Sequence, residues 1–384
     1  MTNRSKSPDT LLVEAGRRKE WRRRLVNPPV ERASTILFDT VAELHANRPG
    51  LGQYRYGLQG TATHWALSEA LTELEPGAAG TALYSTGLAA ITAALLTLLS
   101  SGDDLLVTDN AYGPTRKFCD TMLKRFGVTT RYFDPLIGAG IGDLFLDNTR
   151  AILLESPGSQ TMEIQDVPAI CAVAQERGIA TILDNTWATS LFFPAIAAGV
   201  DISVSAGTKY VGGHADVMVG AATANEAYFE RLERASWDLG HALSPDDAWL
   251  ASRGLRTMAV RLRQHEASAL KVAGWLKQQP RVGKMLHPAF SDCPGHELWK
   301  RDFKGSSGLF TFELHGDPEA FVDSLEMFGI GFSWGGFESL ALPVTPLRTV
   351  SEPPAKSLVR LHIGLEDPED LIRDLARALE QLPT

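Results

Sequence analysis

The sequence predicts an α/β protein with a mostly parallel central sheet, helices on both faces, and a smaller C-terminal α+β domain. Three observations carry this. Short apolar runs alternate with helical patterns of about ten or more residues up to position 222, which signals strand–helix–strand crossovers. Two of those runs, "AILLE" and "ATILD", are unbroken rather than alternating, as strands buried on both faces should be. Beyond position 245 the order changes to long helices followed by separated strands.

The elements follow in order. Residues 9–24 read as a capped helix, with Asp9 or Thr10 as N-cap. Residues 27–60, with Pro28, Pro29, Pro49, Gly50, Gly52, Gly57 and Gly60, read as an irregular arm. A helix is expected over 66–74, a strand over 81–84, and an apolar helix from Gly87 to position 99. Strands follow at 105–108, 130–133, 151–155, 180–183, 202–205 and 218–222, with helices over 115–126 and 167–177. Helices over 245–258 and 260–277 come next, the second long enough to bridge two lobes. The remainder predicts strands at 309–313 and 358–362 and helices at 318–328 and 367–381. This divides the chain into an arm (1–60), a larger domain (61–245) and a C-terminal domain (246–384).

Composition narrows the function classes. Of 384 residues 44% are hydrophobic and 22% charged, an ordinary globular balance. The net charge of −9 argues against broad nucleic-acid binding. Cys119, Cys171 and Cys293 form no CxxC pair, so zinc-ligand spacing is absent and no metal is expected. Residues 1–10 are polar and carry no signal-peptide pattern. The longest apolar stretch, 88–99, is interrupted by Thr92 and Thr97 and is too short to span a bilayer. A cytoplasmic protein is expected.

Ligands of parallel sheets collect at the carboxyl ends of the strands, and three strand ends here carry unusual residues. Ser85, Thr86 and Gly87 precede the apolar helix, whose free N–H groups suit a phosphate. Asp184 ends "ATIL", where a carboxylate is costly to bury without a donor or cation. Ser205, Thr208 and Lys209 follow "DISV". A lysine, a strand-end acid and an anion cradle are the set that pyridoxal phosphate asks for. The lysine condenses with its aldehyde, the acid pairs with the protonated pyridine nitrogen, and hydroxyl and N–H groups hold the phosphate.

On these segments the sequence resembles the Cys/Met-metabolism family of pyridoxal-phosphate enzymes, of fold type I. The resemblance is carried by "YGLQGTATHWAL" (56–67), "AYGPT" (111–115), "LDNTWA" (183–188), "GTKYVGGHADVMVG" (207–220), "SWGGFESL" (333–340) and "RLHIGLEDPEDLI" (360–372). It implies Lys209 as the lysine bonded to the cofactor, Asp184 as the partner of the pyridine nitrogen, and Tyr112 as a ring that stacks on the cofactor and assists proton transfer. It also implies a phosphate cradle of Gly87, Leu88, Ser205 and Thr208, with Tyr56 donated to the neighbouring subunit's cofactor. Arg360, Ser333 and Trp334 correspond to the substrate-carboxylate site, where a guanidinium fork can bond both oxygens. The implied partners are a small amino-acid substrate and further copies of the chain, in a tetramer with shared active sites. The implied reaction is β-elimination from a sulfur amino acid, with either Lys209 or Tyr112 protonating the departing sulfur. A γ-cleaving enzyme or a broad cysteine-conjugate lyase is the alternative. One position departs from the family: Leu58 stands where an arginine usually follows the phosphate-binding tyrosine.

Overall fold

The computed structural model describes residues 6–352 and 357–383, so the first five positions of the polar N-terminal stretch lie outside the described residues. Seven strands form the larger sheet: β1 (Gly80–Tyr84), β2 (Asp104–Thr108), β3 (Thr129–Phe133), β4 (Thr149–Glu155), β5 (Ala180–Asp184), β6 (Ile202–Ser205) and β7 (Gly220–Ala224). Their order is β1-β7-β6-β5-β4-β2-β3. From β6 through β3 every pairing is parallel, and β7 alone runs antiparallel to both its neighbours. Because β7 reverses direction, β1 is parallel to β6. The C-terminal ends of β1, β2, β4, β5 and β6 therefore share one edge.

Alternation along the strands explains why both faces are covered. Leu106, Ile152, Leu154 and Leu183 pack into one buried cluster with helices Ala62–Leu74, Val167–Glu176 and Pro245–Leu255. Leu105, Val107, Leu153, Ile182 and Val204 pack into another with helix Gly87–Leu98. Such two-sided burial demands the unbroken apolar runs.

The second sheet is antiparallel, in the order β10-β11-β9-β8, with β8 (Val282–Leu286), β9 (Leu309–Leu314), β10 (Leu340–Val344) and β11 (Leu358–His362). Helix Met258–Leu276 does join the lobes. Leu262 belongs to a core of the larger sheet, while Val272 and Leu276 belong to that of the smaller one.

Several local expectations are corrected. The helix over 9–24 is two pieces, Pro8–Glu14 and Lys19–Arg22, broken at Gly16, whose φ of 67° no helix accepts. The helix over 115–126 starts at Gly113, and its second half is the wider-wound Cys119–Leu123. Helix 318–328 stops at Asp323, and strand 218–222 lies at β7, two residues later. Helix 245–258 stops at Leu255. Strands β8 and β10 and the helices Val41–Ala46, Phe229–Asp238 and His296–Asp302 were not foreseen.

Candidate active site

Lys209 lies in the turn after β6, its N–H bonded to Ala206 O at 2.9 Å. Its Nζ reaches across to the smaller lobe and donates to Ser333 Oγ at 2.8 Å. The same Nζ stands 5.6 Å from the centroid of the Trp334 ring. Burial, opposed by Asp184 and aided by Arg360, lowers the Lys209 pKa from the usual ammonium range. A lysine biased toward the neutral amine is a ready nucleophile and base.

Asp184 closes β5 in register with Glu155 of β4, so two carboxylates stand side by side at the sheet edge. Asp184 Oδ1 accepts from Thr186 N at 3.0 Å and from the Thr186 hydroxyl. That hydroxyl accepts from Ala206 N at 2.8 Å, which ties the acid to the turn carrying Lys209. Burial raises the Asp184 carboxyl above its ordinary pKa, against the two Thr186 donors and the Lys209 charge. Glu155 is raised further, by burial and then by Asp184. Its Oε2 accepts from Tyr112 N at 2.7 Å.

Tyr112 caps helix Gly113–Phe118, with its side chain 46% exposed. Its phenol titrates above the ordinary value through burial, Glu155 and Asp184, with Arg360 opposing. The ring therefore stands among the carboxylates and the guanidinium. Arg360, on β11, donates Nη2 to the Ser333 carbonyl at 3.2 Å and is brought down to about 10 by burial. Ser333 has φ of 87°, strained for a side chain with a Cβ. The turn holding it is pinned by Gly335 N, which donates to the buried His362 Nε2 at 3.1 Å.

The anion cradle is formed by backbone. Thr86 caps helix Gly87–Leu98 by accepting from Ala89 N, and Ala90 N bonds to Thr86 O, which leaves the N–H groups of Gly87 and Leu88 at the open helix end. A Cβ on Gly87 would lie 2.5 Å from Ala206 Cβ, so only glycine lets this helix end approach the turn after β6. Ser205 ends β6 beside it. Thr208 Oγ1 accepts from Val219 N at 3.0 Å, which fixes the loop below.

One member stands apart. Tyr56 is 50% exposed and pairs with Thr35 in an isolated bridge, with no hydrogen bond to the Lys209 group. Leu58 lines a separate cavity with Gln59, His64, Trp65 and Trp237. Arg55 donates Nη1 to Asn47 O at 2.6 Å, within the arm. Thr186 and Glu155 escaped the sequence reading. Glu155 ends an apolar strand just as Asp184 does, so the same signal could have found it.

An activated lysine, a strand-end acid and a helix-end anion cradle on one sheet edge define a pyridoxal-phosphate site, and these residues fit that group. The chain belongs to the family of Cys/Met metabolism PLP-dependent enzymes, whose model matches residues 9–380, and its architecture is the expected fold type I. A cystathionine β-lyase of Salmonella typhimurium is 45% identical, over 98% of this chain and 99% of its own. The cystathionine β-lyase of Escherichia coli is also 45% identical, over 96% and 97%. The solved structure of cystathionine γ-lyase from Lactobacillus plantarum, complexed with L-serine, superposes with a TM-score of 0.89 at 29% identity, over 98% of this chain and 100% of that one.

Proposed function

We propose that the chain is a cystathionine β-lyase, which converts L-cystathionine and water to homocysteine, pyruvate and ammonia and so supplies a methionine precursor. The observation that carries this is the meeting of base and carboxylate site on one residue. Ser333 offers its hydroxyl to Lys209 Nζ and its carbonyl to Arg360 Nη2. A substrate carboxylate held there brings its α-carbon within reach of the lysine.

Pyridoxal phosphate, when bound, supplies an aldehyde for the substrate amine and a protonated ring that draws electrons from the α-carbon. The N–H groups of Gly87 and Leu88 with the Ser205 and Thr208 hydroxyls would hold its phosphate, and Asp184 would pair with its ring nitrogen. Asp184 would keep that nitrogen protonated, because a buried carboxylate is stabilised by an adjacent cation. Lys209 is the residue that would hold the cofactor's aldehyde, and as a free amine it would remove the substrate's α-proton. Arg360 fixes the substrate carboxylate through its fork, and Trp334 walls the site. The proton for the departing sulfur comes from Lys209 or Tyr112.

Tyr56 would serve the phosphate of a second copy's cofactor, which requires a homo-oligomer; we take it to be a tetramer built from two dimers, in the cytoplasm. Among the described residues no helix is long and apolar enough to cross a membrane. The same reading divides the chain into an arm (1–60), a cofactor domain (61–245) and a C-terminal domain (246–384).

Product analysis with cystathionine tests the proposal. Pyruvate with homocysteine is expected. Formation of 2-oxobutyrate with cysteine would mean γ-cleavage and would overturn it.

A further inference from the structure

A second cluster of charge lies beside the site and takes no part in the chemistry above. Asp109 follows β2, three residues before Tyr112, and is fully buried. Its Oδ2 accepts from the backbone N–H groups of Thr349 (3.0 Å), Val350 (2.9 Å) and Ser351 (2.9 Å) and from the Ser351 hydroxyl (3.0 Å). Its Oδ1 accepts from Thr349 N at 2.7 Å and from Arg116 Nη1 at 3.0 Å. Arg348, its side chain only 3% exposed, donates to the Asp109 carbonyl at 2.8 Å and to Glu163 Oε1 at 2.7 Å. Three consecutive N–H groups turned on one oxygen form an anion nest. Here the anion is a side chain from the other lobe. Burial works to raise the Asp109 carboxyl, but the N–H groups of Ser351, Val350 and Thr349 and the Arg116 guanidinium hold it below its ordinary range.

The consequence falls on Tyr112. Asp109 and Arg116 are the two ends of the turn that carries it, joined to each other by their ion pair. Arg116 N donates to Tyr112 O at 3.1 Å, and Arg116 also donates to the Thr349 hydroxyl. Both ends of the turn are thus tied to residues 349–351. We propose that Asp109 is a positioning residue for Tyr112: by binding residues 349–351 of the C-terminal lobe it fixes the turn from which the phenol enters the site. This rests on the reading that Tyr112 acts in the reaction.

The test is a double-substitution cycle on protein carrying pyridoxal phosphate, read by cystathionine turnover and by limited trypsin digestion. Asp109→Ala is expected to lower kcat/KM by about 10²-fold, the cost of a misplacement of about 1 Å, while the absorbance of the bound cofactor is kept. In a Tyr112→Ala background the same change is expected to cost less than about threefold, since coupled residues are not additive. Trypsin is expected to cut after Arg348 in Asp109→Ala and to spare that bond in the parent. Should Asp109→Ala fail to fold, Asp109→Asn, which keeps the shape but not the charge, goes through the same cycle with a loss of about tenfold expected. Losses that multiply in full, an unchanged digestion pattern, or wild-type kinetics in the Asp109 variant while Tyr112→Ala is impaired each overturn the proposal and leave the role of Tyr112 standing. Wild-type kinetics in Tyr112→Ala removes that role, and the proposal with it.

Discussion

The strand-end site and the N-terminal arm meet the same requirement, a group placed against a cofactor, in opposite ways. At the strand ends the lysine, the acid and the guanidinium are tied down inside the chain: Lys209 to Ser333, Asp184 to Thr186, Arg360 to the Ser333 carbonyl. The arm is anchored at separated points: Leu12 enters the core, Glu31 N donates to Thr63 Oγ1 at 2.8 Å, Trp249 Nε1 donates to Pro28 O at 3.0 Å, and the Tyr54 ring meets Trp65 edge-on. Beyond that it presents apolar side chains to solvent, with Leu37 89%, Val41 67% and Tyr56 50% exposed. Exposed apolar groups clustered on one segment mark a contact surface. The difference teaches that one region is preorganised by its own fold, while the other, on our proposal, is completed by a second copy.

Substitutions should separate the two regions, and the largest effect belongs to the strand ends. Lys209→Ala is expected to cost at least about 10²–10⁴-fold in kcat, the usual worth of a positioned acid–base group. Loss of the cofactor's lysine-bound absorbance should accompany it, and normal turnover would remove Lys209 from the chemistry. Arg360→Ala comes next. A hydrogen bond to a charged group is worth about 1.5–3 kcal/mol, so KM for cystathionine should rise by about 10–150-fold. Steady-state kinetics that show only a kcat change would contradict a carboxylate site there.

The arm tests are of smaller effect. Leu58→Arg restores the usual cation and is expected to tighten retention of pyridoxal phosphate by about one to two decades in dissociation constant. Equilibrium dialysis measures this, and no change would mean that position 58 does not face the phosphate. Mass from sedimentation at assay concentration checks the shared site: a fully active monomer would break the comparison outright.

The smallest effect lies outside both regions, in the connection that leads into β1. Glu75, just after helix Ala62–Leu74, is 4% exposed, and burial lifts its carboxyl to about 7 against the Ile196 and Ala195 N–H groups. The folded state thus keeps a proton that the unfolded chain releases near 4.5. Stability should fall as pH rises between those values and level off above them. Glu75→Gln should remove that slope and raise Tm at pH 8 by a few degrees at most, as thermal melts at several pH values would show.

How much of this was legible followed from burial. β4 and β5 were readable because two-sided burial forces unbroken apolar runs, and Asp184, the acid that closes β5, stood out against its run. β8 and β10 were not, since "VGKML" and "LALPV" carry a lysine and a proline on short strands of a small sheet. The reversal of β7 left no trace in its residues, because strand direction is set by the connection and not by side chains. Lys209 and Asp184 could be argued from their own surroundings. Arg360, Ser333 and Trp334 came only through the family resemblance, because they belong to the other lobe and reach the site through tertiary packing. Asp109 and Arg348 went unread for that reason too: their meaning is a contact between segments far apart in the chain.

The place of β1 at the edge of the large sheet has a consequence for how the protein is made. Among the described residues its only partner is β7, which pairs Gly80 with Ala224 and Tyr84 with Gly220. A ribosome adding about 5–20 residues per second needs on the order of ten seconds to deliver that partner. During that interval β1 and the apolar helix Gly87–Leu98 have emerged without the strand that covers them. The first strand of the larger sheet to be synthesised is thus the last of that sheet to be paired, and nascent chains that end before position 220 should be the ones that occupy chaperones.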